Sequence, residues 1–78
     1  MNMELKEFVE NVRDQFEDEV KSFGPDTHFR ELGEWSSLLS LSIIAMVDDE
    51  YDVVIKADDI KNCTTVEDLF NLVNQKKS

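Results

Sequence analysis

Between Leu38 and Val47 only Ser40 and Ser42 are polar, and this run limits the possible folds more than any other feature of the chain. A surface helix carries a single apolar stripe with polar residues opposite. A segment this greasy needs neighbours on more than one side. Ser36 and Ser37 precede it, and either hydroxyl can cap a helix by accepting from a free backbone N–H. The spacing therefore predicts a helix from Ser36-Ser37 to about Tyr51. At about 100° per residue, Ile43, Ile44, Val47 and Tyr51 share one side, suited to a core. Leu38, Leu41 and Ala45 share another, together with Asp48, Asp49 and Asp52. That second face starts apolar and ends acidic. Either further helices cover it, or it receives a basic, partly apolar partner, and the two readings can hold for different residues.

The rest of the chain offers the neighbours. Leu5, Phe8, Val9, Val12, Phe16 and Val20 recur at helical spacing, which predicts a first helix over residues 3–21. Phe23-Gly24-Pro25-Asp26 ends it, because proline cannot continue the ladder. Residues 24–36 read as a long loop that Phe29 and Leu32 pin to the core, since a loop of that length needs anchors or a function. Residues 57–61 fit one short helical turn. Thr64 and Glu67 have the spacing of a capping box before a last helix, in which Val66, Leu69, Phe70, Leu72 and Val73 are apolar. Lys76 and Lys77 stand at its end, where cations suit the helix dipole. Val53-Val54-Ile55 has no strand-like partner elsewhere and reads as an extended segment that packs down. The expected class is all-α, with Phe8, Val12, Phe16, Ile43, Val47, Tyr51, Val66 and Leu69 in the core.

Seventy-eight residues allow one domain, taken as 1–78 with its core over about 3–75. A domain of this size buries only about 60% of its unfolded surface, which leaves a thin core and no deep cavity between lobes. Eighteen acids against eight bases give a net charge of −10. That field repels nucleic acid and anionic membrane and attracts basic protein surfaces. Cys63 is the single cysteine, so no intramolecular disulfide forms. No basic-then-apolar leader is present, and no apolar stretch approaches the roughly 20 residues of a membrane span. A cytoplasmic monomer without membrane insertion is the expectation.

Few residues suggest catalysis. There is no Gly-x-Ser-x-Gly elbow, and His28 is the one imidazole, so a serine hydrolase is disfavoured. The run Asp48-Asp49-Glu50-Tyr51-Asp52 lacks the spaced ligands and central glycine of a calcium loop, so no metal site is assigned. Cys63 has no basic context and reads as a buried thiol. Ser37 is different in kind. At a helix start, unpaired N–H groups and a partial positive charge suit a phosphate. A plain cap is the ordinary role of a serine there, and position alone leaves both roles open.

The stretch Leu32-Gly33-Glu34-Trp35-Ser36-Ser37-Leu38, then Ile43-Ile44-Ala45-Met46-Val47-Asp48-Asp49-Glu50-Tyr51-Asp52-Val53-Val54-Ile55, resembles the second-helix region of acyl carrier proteins. That family shows Asp-Ser-Leu, then an apolar helix ending in acids, an aromatic residue and an Asp-Ile-x-Ile-like segment. Asp58-Asp59-Ile60 and Thr64-Thr65-Val66-Glu67-Asp68-Leu69 extend the likeness without a gap, whereas the first helix matches in pattern and length only.

The resemblance implies a four-helix up-down bundle, three helices long and one short, with a long first loop. It implies that Ser37 receives 4′-phosphopantetheine from coenzyme A through a magnesium-dependent phosphopantetheinyl transferase. The thiol of that arm would carry acyl groups for enzymes of fatty-acid, specialised lipid or polyketide pathways, with no catalysis by the carrier itself. Leu38, Leu41, Ala45, Asp48 and Asp49 would form the partner face toward enzymes with basic surfaces. The sequence departs from the family at Ser36, where the pattern has Asp, and at Leu39 and Ser42, where fatty-acid carriers often have acids; this points to a dedicated carrier of a specialised pathway. Trp35, beside the site, reads as a loop aromatic covering the core. The rivals are a peptidyl, aryl or aminoacyl carrier served by an adenylating ligase, and an acidic interaction module that is never modified.

Overall fold

A computed structural model describes residues 4–16, 23–33 and 35–77. Four helices occur among them: α1 (Leu5–Arg13), α2 (Ser37–Tyr51), α3 (Ala57–Lys61) and α4 (Val66–Lys77), with a 3₁₀ turn at Phe29–Glu31 between α1 and α2. No strand occurs among the described residues, and the architecture is the expected helical bundle. α1 packs on α4 and α2, and α2 packs on α3. The Phe8 ring joins three helices: it lies 5.6 Å from Tyr51 on α2 and 5.6 Å from Phe70 on α4.

All eight residues expected in the core are buried. Burial of each large apolar side chain contributes roughly 1.5–3 kcal/mol before entropy is counted. Leu39 and Met46 join them, while Ile44 is only partly buried. Leu39 lies one helical turn before Ile43, on the same face. It is thus part of the core, and packing accounts for an apolar residue at a position where the resemblance noted above leads one to expect an acid.

The first helix is shorter than its periodicity suggests. It ends at Arg13 rather than running to residue 21. Past Asp14 the backbone tightens: the amides of Gln15 and Phe16 bond to the carbonyls of Val12 and Arg13, three residues back. Gln15 also turns its amide onto the Asn11 carbonyl at 3.1 Å. The tighter turn keeps Phe16 buried, so the apolar pattern continues where the α-helix does not. Val20 and the rest of 17–22 lie outside the described residues.

The long loop is anchored as expected by buried Phe29 and by Leu32 packed against the core. It also serves α4, because the Thr27 and Pro25 carbonyls accept from the amides of Val66 and Glu67 at 3.2 and 2.9 Å. These are groups that a helix start leaves without intrahelical partners. The capping box falls one residue later than the sequence suggested, on Thr65 and Asp68. Thr65 Oγ1 accepts from the Asp68 amide, and Asp68 Oδ2 accepts from the amides of Thr65 and Thr64, all at 3.1 Å. Glu67 and Asp68 both fit the spacing rule, and Thr65, the residue preceding Val66, decides between them.

α2 ends at Asp52, a left-handed residue with φ 57° and ψ 40° whose amide bonds to the Asp48 carbonyl at 3.1 Å. Aspartate tolerates this conformation better than most residues with a Cβ. Val53 and Ile55 then alternate inward, and Val54 stands 70% exposed. The two lysines expected at the end of α4 acquire definite partners. Lys77 Nζ donates to the Tyr51 carbonyl at 2.8 Å, and Lys76 lies 3.8 Å from Asp59.

Candidate functional site

The two serines at the head of α2 divide their roles. Ser36 has extended backbone and is the N-cap: its Oγ accepts from the Leu39 amide at 3.4 Å, and its carbonyl accepts from the Ser40 amide at 3.1 Å. Ser37 is the first helical residue. Its side chain is exposed, and its hydroxyl bonds to no described residue. With the capping role filled by its neighbour, Ser37 presents a free nucleophilic oxygen beside the first amides of a fifteen-residue helix.

The segment leading into the serines is held by aromatic packing. The Trp35 amide donates to the Leu32 carbonyl at 2.9 Å. Its ring meets Phe29 edge-on at 5.4 Å and lies 6.4 Å from Phe16. Trp35 therefore closes one side of the core, as its sequence context suggested. Leu39, turned inward just beyond, fixes the rotation of α2 and leaves Ser37 on the outside.

That same rotation exposes the whole second face of α2. Leu38 is 73% and Leu41 61% exposed, and Ala45, Asp48 and Asp49 are exposed as well. Asp48, Asp49 and Asp52 make no ion pair among the described residues. The five residues proposed from the sequence as a partner face lie on one side of the helix, apolar near Ser37 and acidic toward the C-terminus.

A groove of about 580 Å³ adjoins Ser37. Ser36, Ser37, Ser40 and Leu41 line it from α2, and Ala57, Ile60 and Lys61 from α3. Arg30 and Trp35, from the loop, complete the lining. Sequence reasoning did not find this groove. Arg30 and Lys61 are thirty-one positions apart in the chain, and only the fold brings them to one cleft.

The other chemically suggestive residues are committed elsewhere. His28 is exposed and paired with Glu31 at 2.8 Å. Cys63 is buried, with Sγ 3.3 Å from the Asp59 carbonyl. Burial pushes its thiol pKa up, Asp68 and Asp59 push the same way, and Arg30 opposes them, so it stays protonated at neutral pH. Among the described residues no group of three or more His, Cys, Asp or Glu side chains is placed to hold a metal, and no helix is long and apolar enough to cross a membrane.

A family model described as a phosphopantetheine attachment site matches residues 6–73. No curated protein and no solved structure matches the chain.

Proposed function

The chain belongs to the phosphopantetheine attachment-site family, and we propose that Ser37 is the residue that bears its arm. Membership makes the chain a carrier rather than a catalyst. When attached, the arm supplies a thiol that holds a cargo as a thioester, reactive toward carbon and nitrogen nucleophiles and mobile enough to reach a docked active site.

The observation that carries the assignment is the division of labour between Ser36 and Ser37. Modification of an N-cap serine would compete with its hydrogen bond to the Leu39 amide. Ser37 has no such bond to lose, is exposed, and sits where the helix start favours a phosphate. Its environment therefore fits the group. In the transfer, the Ser37 oxygen forms the bond to phosphorus, the nucleotide half of coenzyme A leaves, and the hydroxyl proton passes to the transferase.

In this reading residues 1–78 form one carrier domain, and the exposed face of α2 is its docking surface. Leu38 and Leu41 supply apolar contact beside the arm, Ala45 leaves room for close approach, and Asp48 and Asp49 steer enzymes with basic surfaces. The partners are a phosphopantetheinyl transferase and the enzymes that load and process the cargo. The cargo is an acyl chain of a fatty-acid, specialised lipid or polyketide pathway.

The test is incubation with coenzyme A and a broad-specificity transferase, followed by intact-mass measurement. Wild type and Ser36→Ala gain one phosphopantetheine, and Ser37→Ala gains none. Modification that survives in Ser37→Ala, or is lost only in Ser36→Ala, moves the site. Loading of the modified protein by an adenylating ligase with an amino or aryl acid, in preference to an acyl chain, would replace the acyl assignment with a peptidyl or aryl one.

A further inference from the structure

The groove beside Ser37 is out of keeping with the rest of the chain. The protein carries eighteen acids and eight bases, yet among the described residues no acidic side chain lines this groove and two cations do. Neither Arg30 nor Lys61 forms an ion pair with a described residue. Arg30 is also held in place: its Nε donates to the Cys63 carbonyl at 2.8 Å, which leaves its two terminal amino groups without a described acceptor. A guanidinium fixed through one edge has already lost much of the rotamer freedom that binding would cost. Between the cations the lining is apolar, from Trp35, Leu41 and Ile60.

A ligand that fits must be anionic and carry apolar bulk close to its charge. The arm meets both conditions at its base, where a singly charged phosphodiester is followed, after one methylene, by a carbon bearing two methyl groups. We infer that Arg30 and Lys61 bind the phosphodiester of the arm, so that its base is held in the groove between α2 and α3 rather than free in solvent. The inference rests on Ser37 as the attachment point, because only an arm rooted at the groove's own edge delivers its phosphate there. Its consequence for function is a carrier that restricts the first bonds of the arm. The sweep of the thiol is narrowed, and its effective concentration at a docked enzyme is raised.

The test compares the modified protein as wild type, Lys61→Gln, and Lys61→Gln with Arg30→Gln. Lys61 is exposed at the end of α3 and makes no bond that the fold needs, so its substitution leaves the structure intact. A Lys6→Gln variant, on α1 away from the groove, controls for net charge. Phosphorus NMR reads the phosphodiester itself. The expected result is that the wild-type resonance is shifted and broadened relative to that of the same modified protein unfolded in urea, which keeps the phosphodiester and loses the groove. It moves back and narrows in Lys61→Gln, further in the double variant, and not in Lys6→Gln. Rising salt shifts the wild-type signal in the same direction, as screening of an exposed contact requires. The Arg30 Nε proton, observed in the wild type, responds to modification of Ser37.

A phosphorus resonance equal in wild type and double variant, on protein whose mass shows one arm on Ser37, overturns the inference and leaves the carrier assignment standing. A protein that gains no arm, or gains it elsewhere, overturns both. If Arg30 and Lys61 respond only when the thiol bears a carboxylated cargo, and not with the free thiol or a neutral acyl group, the cations belong to the cargo and the phosphodiester contact is excluded.

Discussion

Asn11 on α1 donates from Nδ2 to the phenol oxygen of Tyr51, the last residue of α2, at 2.8 Å. The bond spans forty positions and fixes how the two helices meet. Removing the hydroxyl by Tyr51→Phe should cost about 0.5–1.5 kcal/mol, the usual net worth of such a bond. Asn11→Ala should cost a similar amount, and the double variant less than the sum of the two in denaturant titration. Full additivity would mean that the pair does not interact in solution. Burial, the largest influence, raises the Tyr51 pKa above its ordinary value. The stability it contributes is complete below that ordinary value and is lost as pH rises through the folded one.

Val47 is fully buried, one turn before the end of α2. Val47→Ala should destabilise by about 1–3 kcal/mol through lost burial and a residual cavity. Ala45→Ser, on the exposed face, should stay within about 0.5 kcal/mol of wild type. A reversal of that order would mean that α2 is rotated about its axis.

Asp48→Lys with Asp49→Lys reverses the acidic end of the exposed α2 face without touching the core. Folding, followed by circular dichroism, should be unchanged. Association with a loading enzyme or the transferase should slow, and its dependence on salt should weaken, because such charges act mainly on the encounter rate. Partner kinetics that are the same for both proteins at every ionic strength would rule out an electrostatic interface.

Asp68 caps α4 through the amides of Thr65 and Thr64, and these bonds lower its pKa, the Thr65 amide contributing most. For a carboxylate held below its unfolded pKa, the stabilisation is complete above the unfolded value and disappears as pH falls through the folded one. The difference in denaturation midpoint between wild type and Asp68→Asn should therefore be constant near neutrality and shrink in acid, below the usual aspartate range. A difference independent of pH would show that the carboxylate charge plays no part in the cap.

The sequence was most readable where one helix face faces one environment. Ile43, Val47 and Tyr51 were placed correctly, as were the bounds of α2 and α3, because burial imposes a period of 3.6 on apolar residues. The same logic misplaced the end of α1. Phe16 stays buried through a tighter turn, and a periodic pattern reports the direction of a side chain rather than the hydrogen bond behind it. Thr65 and Asp68 were missed by one residue because two acids lie side by side after two threonines. Leu39 was recognised as a departure from the family, but its role in the core appears only once α1 and α3 flank α2. Which of Ser36 and Ser37 caps the helix required the backbone, since both have the right chemistry. The cationic groove was beyond reach, since Arg30 and Lys61 meet only through tertiary folding.

The account depends on Ser37 being a tether in the living cell. The most direct measurement is the intact and fragment mass of the protein purified from its own cells. The account predicts a single phosphopantetheine mapped to Ser37, present with its thiol free or esterified by an acyl group. A chain that remains unmodified at Ser37 in cells with an active transferase would contradict it.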